Sequence, residues 1–299
     1  MTSEGHQTAH AHQTDGRFRR LLVRSRPRFW LYTAGPVLVA VAYAAETTAD
    51  LVTPVTVAAF LYFLVPANVY LYGVNDVFDA AVDAENPKKG GGEATTRGSP
   101  EVRYRGESVT LAAIAVSGLL GVALLSWAPE PAAPWFAGFL LLATAYSAPP
   151  FRFKTTPLLD SLSNGLYILP GAGVYAALAG TPPPTLVLVG AWLWTMAMHT
   201  FSAIPDIEPD RRAGIRTTAT VLGTRRALTY CAGTWLLAAV AFGALDPGAA
   251  VLLAVYPAFV VVIAALDVEV SRAYWWFPAI NTVVGAILTM AGLWGIVHG

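Results

Sequence analysis

Cysteine is almost absent from this sequence of 299 residues, which contains only Cys231. A single cysteine cannot form an intramolecular disulfide or supply a cysteine-ligated metal centre. Cys231 lies within a long apolar stretch, where we interpret it as a small packing residue.

Charge is scarce as well, since charged residues make up 13% of the chain and hydrophobic residues 55%, with a mean hydropathy of +0.52. Soluble domains average about 25% charged residues. Apolar blocks of spanning length recur along the whole sequence, which indicates a polytopic, all-α membrane protein rather than a soluble domain with one anchor. No nucleic-acid partner is expected.

Nine transmembrane helices are predicted, at about 20 residues per span. Their expected positions are 29–45, 51–73, 109–128, 135–149, 158–179, 184–204, 226–244, 248–267 and 274–297. Residues 1–28 are polar and arginine-rich, and they lack the apolar core of a cleavable signal. We expect them to form a disordered cytoplasmic tail ahead of one intramembrane domain at 29–299.

The basic residues predict how these helices are oriented. In the nine-span arrangement, all 19 lysines and arginines lie in the tail or in loops on the same side of the membrane. The opposite loops contain acidic charges only: Glu46, Asp50, Glu130 and Asp246. Because cytoplasmic loops carry the excess of Lys and Arg, the N-terminus is predicted to be cytoplasmic and the C-terminus extracellular.

Three aspartates and an asparagine end the second apolar block, in the stretch NVYLYGVNDVFDAAVD at 68–83. Asn75, Asp79 and Asp83 are spaced four apart and Asp76 precedes Asp79 by three, so all four line one stripe of a helix. Ionised carboxylates in apolar surroundings need a neutralising partner. Mg²⁺ typically combines one or two carboxylates with waters and a substrate phosphate. The stripe therefore predicts a divalent-cation site.

A second pair of carboxylates, Asp206 and Asp210, lies in DIEPDRRAGIRTT after the sixth predicted span, and Arg211 and Arg216 follow closely. Two prolines in and before this stretch are expected to limit regular helix. Both carboxylate clusters lie at the predicted cytoplasmic ends of their helices. They are therefore expected to face each other.

Arg152 and Lys154, in YSAPPFRFK, add positive charge on the same side. Positive-inside anchoring alone would explain these two residues, and interfacial ion pairs would explain an isolated carboxylate cluster. Two clusters of matched spacing favour another interpretation, because Mg²⁺ bridges to phosphate while arginine forks bind the remaining phosphate oxygens. The pattern predicts a diphosphate held by metal ions at the mouth of an apolar helical bundle.

The two motifs resemble those of the UbiA-type intramembrane prenyltransferases, which are all-helical, nine-span enzymes. The first family motif, NDxxDxxxD, is matched from Asn75 to Asp83, and the second, DxxxD, by Asp206 and Asp210. The segments YSAPPFRFK, LLDSLSNGLYILPG and MHTFSAIPDIEPDRRAGIRTTATVLG are similar to the carotenoid branch of the family. Members of that branch elongate lycopene to C50 carotenoids, and in halophilic archaea related enzymes are lycopene elongase/1,2-hydratases on the path to bacterioruberin.

The resemblance implies Mg²⁺-dependent transfer of a C5 group from dimethylallyl diphosphate to the terminal alkene of lycopene. Besides Asn75, the catalytic residues would be the aspartates that hold the metal: Asp76, Asp79, Asp83, Asp206 and Asp210. The diphosphate would be bound by four basic residues: Arg152, Lys154, Arg211 and Arg216. Addition leaves a tertiary carbocation, which either loses a proton or captures water.

Four residues are candidates to orient a base or a water at this carbocation, or to line its path: Asp160, Asn164, His199 and Tyr146. Capping and packing roles for Asp160 and Asn164 stay open, as does a hydrogen-bonded role for His199 at its helix end. Tyr146 can shelter a cation through its ring or simply pack.

Two alternatives to this function stay open. Transporters also place carboxylates in spans, although usually near the bilayer midplane, and here the charges lie at one face. Within the prenyltransferases, the motifs for diphosphate binding do not distinguish lycopene from a quinone precursor, a chlorin, a haem or an ether lipid.

Overall fold

The structure, a computed structural model, describes residues 21–85 and 106–298, with side chains for 21–80 and 106–298. The described chain is helical and is divided as follows: α1 (Trp30–Ala44), α2 (Pro54–Leu64), α3 (Pro66–Glu85), α4 (Ser108–Trp127), α5 (Ala133–Ser147), α6 (Leu159–Leu162), α7 (Leu169–Ala179), α8 (Thr185–Ala203), α9 (Ile207–Arg212), α10 (Thr218–Gly243), α11 (Pro247–Leu253), α12 (Val255–Ala265) and α13 (Val270–His298). A six-residue 3₁₀ helix, Ser163–Ile168, joins α6 to α7.

Helical segments lie at each of the predicted span positions within the described ranges. Five stretches there are long and apolar enough to cross a membrane: Pro54–Ala80, Ser108–Trp127, Thr185–Arg212, Pro247–Ala265 and Val270–His298. In contrast, α1 and α5 have 15 residues each, which corresponds to about 22 Å of helix against a hydrocarbon core of roughly 30 Å. The all-helical architecture is thus confirmed, and the number of nine spans stays a prediction.

The bundle is held together mainly by four helix pairs. α8 packs along α10, α1 packs along α7 and α13, and α3 packs along α4. Between α8, α10, α12 and α13 lies a cluster of fully buried aromatic side chains, among them Phe201, Trp235, Tyr256 and Phe277. Cys231 is also fully buried in α10, consistent with the packing role expected from the sequence.

A break between α2 and α3 sets the direction of the helix that carries the first aspartate motif. Pro66 has no N–H to continue the hydrogen-bond ladder of α2. The side-chain amide of Asn68 donates to the carbonyl oxygens of Phe63 and Leu64, both at 3.0 Å, and to the hydroxyl of Thr33 at 2.7 Å. Asn68 therefore satisfies carbonyl groups at the break and fixes α3 against α1.

Residues 21–28 belong to the predicted tail, yet they pack on the bundle. Arg24 is only 4% exposed. Its guanidinium bonds the Thr110 hydroxyl and lies 3.1 Å from the carboxylate of Glu107 at the start of α4. Arg24 thus joins the segment before α1 to α4.

Arg28 joins the same segment to α13. Its Nη2 donates to the carbonyl oxygens of Tyr274 at 3.2 Å and Trp275 at 2.7 Å. Pro278, four residues after Tyr274, cannot donate the helical hydrogen bond to that carbonyl. Arg28 supplies the missing donor, so the arginines in this part of the predicted tail form contacts between helices.

Candidate active site

The first aspartate motif lies on one helix, because α3 continues past the predicted end of the span to Glu85. The expected stripe is therefore helical. Asp76 is 6% exposed, and the side chain of Asp79 is 19% exposed. The side chain of Asp83 lies outside the described residues. The carboxylates of Asp76 and Asp79 are largely shielded from solvent, so neighbouring cations interact with them strongly.

Two cations from the loop after α5 meet Asp79. Lys154 Nζ lies 2.5 Å from Asp79 Oδ1 and donates to Asn75 Oδ1 at 2.9 Å. Arg152 Nη2 lies 3.7 Å from the same aspartate oxygen. Arg152 adopts a left-handed backbone conformation, with φ of 42°, which a non-glycine residue keeps only where the surrounding structure fixes it. The loop is thus held against the aspartate motif.

A third cation at this site, Arg26, was not among the residues singled out in the sequence. Its Nη2 lies 3.6 Å from Asp76 Oδ1, and its guanidinium carbon lies 4.5 Å from the centre of the Tyr72 ring. Tyr72 precedes Asp76 by one helical turn. Arg26 falls in the predicted tail, and no local pattern distinguishes it from the other arginines there, so only the folded chain reveals the contact.

The second aspartate motif follows α8, which ends at Ala203. Asp206 ends the 3₁₀ turn Ile204–Asp206, and Asp210 lies in the six-residue helix α9. The limit on regular helix that the prolines predicted is therefore present. The hydroxyl of Tyr274, from α13, is within electrostatic reach of Asp206 and also of Tyr72 and Arg26. Tyr274 is thus a neighbour of residues at both motifs.

The arginines after the second motif differ from the cations at the first. Arg211 Nη1 lies 3.2 Å from Glu208 Oε1, and its Nη2 and Nε donate to the carbonyl oxygen of Thr220 at 2.8 and 3.3 Å. Arg216 is exposed. Their predicted contact with a diphosphate stays a prediction, and for Arg211 it requires exchange of these local contacts.

Deeper in the bundle, Asp160 organises a second polar group. It is 0% exposed, its Oδ2 accepts from the Thr218 backbone N–H at 2.9 Å, and its Oδ1 accepts from the Thr218 hydroxyl. The Asn164 side-chain amide donates to the Asp160 carbonyl oxygen at 2.5 Å. Asp160 therefore binds the N-terminus of α10 and does not cap its own helix, α6.

His199 and Tyr146 adjoin this group. His199 Nε2 lies 3.7 Å from Asp160 Oδ2. The Tyr146 and His199 rings are perpendicular, with centres 5.9 Å apart, and the Tyr146 hydroxyl interacts with the side chain of Asn164. The four candidates named for the carbocation step therefore lie together, although their chemical role is untested.

Comparison with known proteins identifies the family. Residues 33–279 match the model of the UbiA prenyltransferase family. The chain belongs to this family. It is therefore an integral membrane enzyme that transfers prenyl groups, and the resemblance noted from the two motifs is confirmed.

Relatives of this UbiA protein include two from halophilic archaea. A lycopene elongase/hydratase of Haloferax volcanii is 63% identical over 279 residues, covering 93% of this chain and 90% of the relative. A lycopene elongase/hydratase of Halobacterium salinarum is 57% identical over 282 residues, covering 94% and 100%. A solved UbiA homolog from Archaeoglobus fulgidus bound to DMAPP and Mg²⁺ has a TM-score of 0.70 at 18% identity, covering 94% of this chain and 100% of that one.

The oxygen donors of the two UbiA motifs suit Mg²⁺ shared with a diphosphate. No three His, Cys, Asp or Glu side chains among the described residues converge into a closed metal centre. Mg²⁺ does not need one, since it usually keeps waters and binds through one or two carboxylates plus substrate phosphates. Asp76 and Asp79 on α3, and Asp206 and Asp210 after α8, supply such carboxylates in two separate pairs.

Proposed function

We propose that this protein transfers a dimethylallyl group from dimethylallyl diphosphate to the terminal alkene of lycopene, and that the resulting cation is hydrated on the same chain, as in bacterioruberin synthesis. The single observation that carries the proposal is the 63% identity to a lycopene elongase/hydratase over 93% of this chain. The geometry of the site supports it in two respects.

The first is the charge at the mouth of the bundle. Lys154 and Arg26 already lie against the carboxylates of the first motif, and they can bind diphosphate oxygens by charge-assisted hydrogen bonds. Asp76, Asp79, Asp83, Asp206 and Asp210 would hold Mg²⁺, which neutralises the diphosphate and makes it a better leaving group. Departure of the diphosphate breaks its C–O bond and leaves the allylic cation.

The second is the surface that receives the cation and the acceptor. Tyr72 and Tyr167 are buried in the bundle, and Tyr72 precedes Asp76 by one helical turn. Their hydroxyls are 3.3 Å apart. Aromatic rings of this kind stabilise a cation. Separately from these tyrosines, an apolar groove of about 280 Å³ lies between α1, α2 and α13, lined by side chains such as Val37, Val41 and Leu293. A polyene has no polar group to bind, so an apolar path is sufficient for it.

The arrangement in the membrane is part of the proposal. Nine spans would place residues 1–28 and both aspartate motifs in or near the cytoplasm, where soluble diphosphates are available, and the C-terminus outside. Attaching a reporter to either end and testing its accessibility in intact cells would determine the orientation.

Expression in a lycopene-accumulating bacterial host tests the activity. The pigments extracted from the cells would be identified by mass and absorption spectrum. New pigments heavier by one or two C5 units, with or without added water, are the expected result. Unchanged lycopene, with the protein folded in the membrane, would overturn the lycopene assignment and direct attention to a quinone precursor, a chlorin or an ether lipid as acceptor.

A further inference from the structure

Two partly buried side chains inside the bundle carry buried polar atoms that have no hydrogen-bond partner. They are the hydroxyl of Tyr32 in α1 and the amide of Asn281 in α13, whose oxygen and nitrogen both lack one. The two side chains approach each other, and none of these atoms forms a hydrogen bond of standard length and angle. Three unpartnered polar atoms thus lie together between the first and last helices.

Most other buried polar side chains of the bundle have an evident structural role. The amide nitrogen of Asn68 satisfies carbonyls at the α2–α3 break, and the hydroxyl of Ser161 donates to the carbonyl of Met196 at 2.9 Å. A buried polar group without a partner is destabilising, and polar atoms of this kind commonly hold an ordered water. Tyr32 and Asn281 together offer a water one hydroxyl, one carbonyl oxygen and one amide donor.

The pair adjoins two tyrosines, Tyr167 and Tyr72, which we call the aromatic path because they lead to the proposed diphosphate site. The Tyr32 and Tyr167 rings meet edge-to-face with centres 6.2 Å apart. The Tyr167 hydroxyl is 3.3 Å from that of Tyr72, and the Tyr72 ring lies 4.5 Å from the guanidinium of Arg26. Tyr32 is thus linked to the first aspartate motif through Tyr167 and Tyr72, and its hydroxyl is also within electrostatic reach of Tyr72, so the pair adjoins the place where the allylic cation would form.

We propose that Tyr32 and Asn281 hold the water that captures the tertiary carbocation, which makes them the residues that select hydration over proton loss; this rests on the proposed transfer to an alkene. The new C–C bond joins the allylic carbon to the alkene and leaves the positive charge on the tertiary carbon. The water oxygen donates an electron pair to that carbon and forms a C–O bond. The oxonium then loses one proton to the diphosphate released in the same turnover.

The test is the ratio of hydrated to unhydrated pigment made by Tyr32→Phe and by Asn281→Leu in the lycopene-accumulating host. Each change removes a buried polar group without a partner, so the fold should tolerate both. We expect the hydrated share to fall about fivefold or more in either variant, while the total C5 transferred stays within about twofold of wild type. Growth in ¹⁸O-labelled water would confirm that the added oxygen comes from water.

Tyr62→Phe is the matched control. The Tyr62 hydroxyl is also buried without a partner, but it packs against Gly121 of α4, away from the aromatic path. Its loss should leave the product ratio unchanged. Wild-type protein that elongates without hydrating, or variants that keep the wild-type ratio, would overturn the inference. Wild-type protein that does not elongate lycopene would instead overturn the proposed function, so the two failures are distinguishable.

Discussion

The two aspartate motifs lie among different partners. At the first, Asp76 and Asp79 are largely shielded, and cations from distant parts of the chain reach them: Arg26 from before α1 and Lys154 from the loop after α5. At the second, Arg211 donates to the carboxylate of Glu208, three residues earlier, and to the carbonyl oxygen of Thr220 in α10. The first motif is thus assembled by tertiary structure, and the arginine of the second is held by local contacts.

This difference indicates how the site works. Charges fixed by the fold need little reorganisation when a diphosphate arrives, and such preorganisation is the main source of electrostatic catalysis. Exposed groups with local partners contribute less, because solvent screens them. Substitutions at the first motif should therefore affect turnover more than substitutions among the arginines of the second.

The largest effect is expected for Asp76→Asn, which removes one charge while keeping the shape of the side chain. Turnover should fall about 100-fold or more, since the diphosphate would lose part of its charge stabilisation. Product formed per folded protein, quantified after size-exclusion chromatography in detergent, measures this. Turnover near the wild-type value would mean that the first motif is not the diphosphate site.

Asp50→Asn is the control for that experiment. Asp50 is an aspartate at the opposite end of α2, where hydrogen bonds from Thr47 hold the pKa of its carboxyl below the ordinary value. It lies in a loop that the charge distribution predicts to be on the opposite side of the membrane from the motif. We expect unchanged turnover, which would show that loss of a carboxylate matters only at the motif.

Lys154→Met should come next. The ammonium group contacts both Asp79 and Asn75, and loss of a charged hydrogen bond of about 1.5–3 kcal/mol corresponds to a roughly 10- to 100-fold decrease in turnover. Lys154→Arg, which retains the charge, should recover part of it. If the Lys154→Met variant were as active as the Lys154→Arg variant, the charge at this position would not contribute to turnover.

A smaller effect is expected for Arg26→Gln. The Arg26–Asp76 contact of 3.6 Å is longer than a hydrogen bond, and an ion pair of up to about 1 kcal/mol corresponds to a roughly two- to fivefold change. Turnover measured at increasing salt should show the wild type and the variant converging. A loss as large as that of Lys154→Met would rank Arg26 as an equal member of the site.

The smallest effect is expected for Arg211→Gln. The Arg211–Glu208 pair is exposed and local, so turnover should stay within about twofold of wild type. Arg216→Gln, at an exposed arginine of the same segment, serves as the comparison. A large loss for Arg211 would show that it leaves Glu208 to bind the substrate, and the contrast between the two motifs would not hold in the working enzyme.

Much of this organisation was predictable because it depends on residues that are close together in the sequence. Spans follow from apolar length, and the stripe from Asn75 to Asp83 follows from helical periodicity. The helical backbone of α3 over these positions is confirmed. Pro205 and Pro209 correctly predicted that the second motif would interrupt regular helix. The predicted span ended at residue 73, because hydropathy falls at the aspartates, whereas the helix that carries the stripe continues to Glu85.

Contacts between distant residues were beyond the sequence. Arg26 looks like any other arginine of a polar tail, and its approach to Asp76 depends on how α1 and α3 pack. Asp160 and Thr218 are separated by 58 residues, so the capping of α10 by the start of α6 leaves no local signal. The proximity of Tyr32 to Asn281 is of the same kind, because it joins the first helix to the last.

The segment before α1 has a consequence for where the enzyme begins. Arg24, Arg26 and Arg28 each reach a different helix, namely α4, α3 and α13. All three precede residue 33, where the match to the family model starts. A polypeptide trimmed to the matched region would keep both aspartate motifs and lose these three contacts between the N-terminal segment and the helices. The smallest functional unit should therefore be longer than the region matched by the family model.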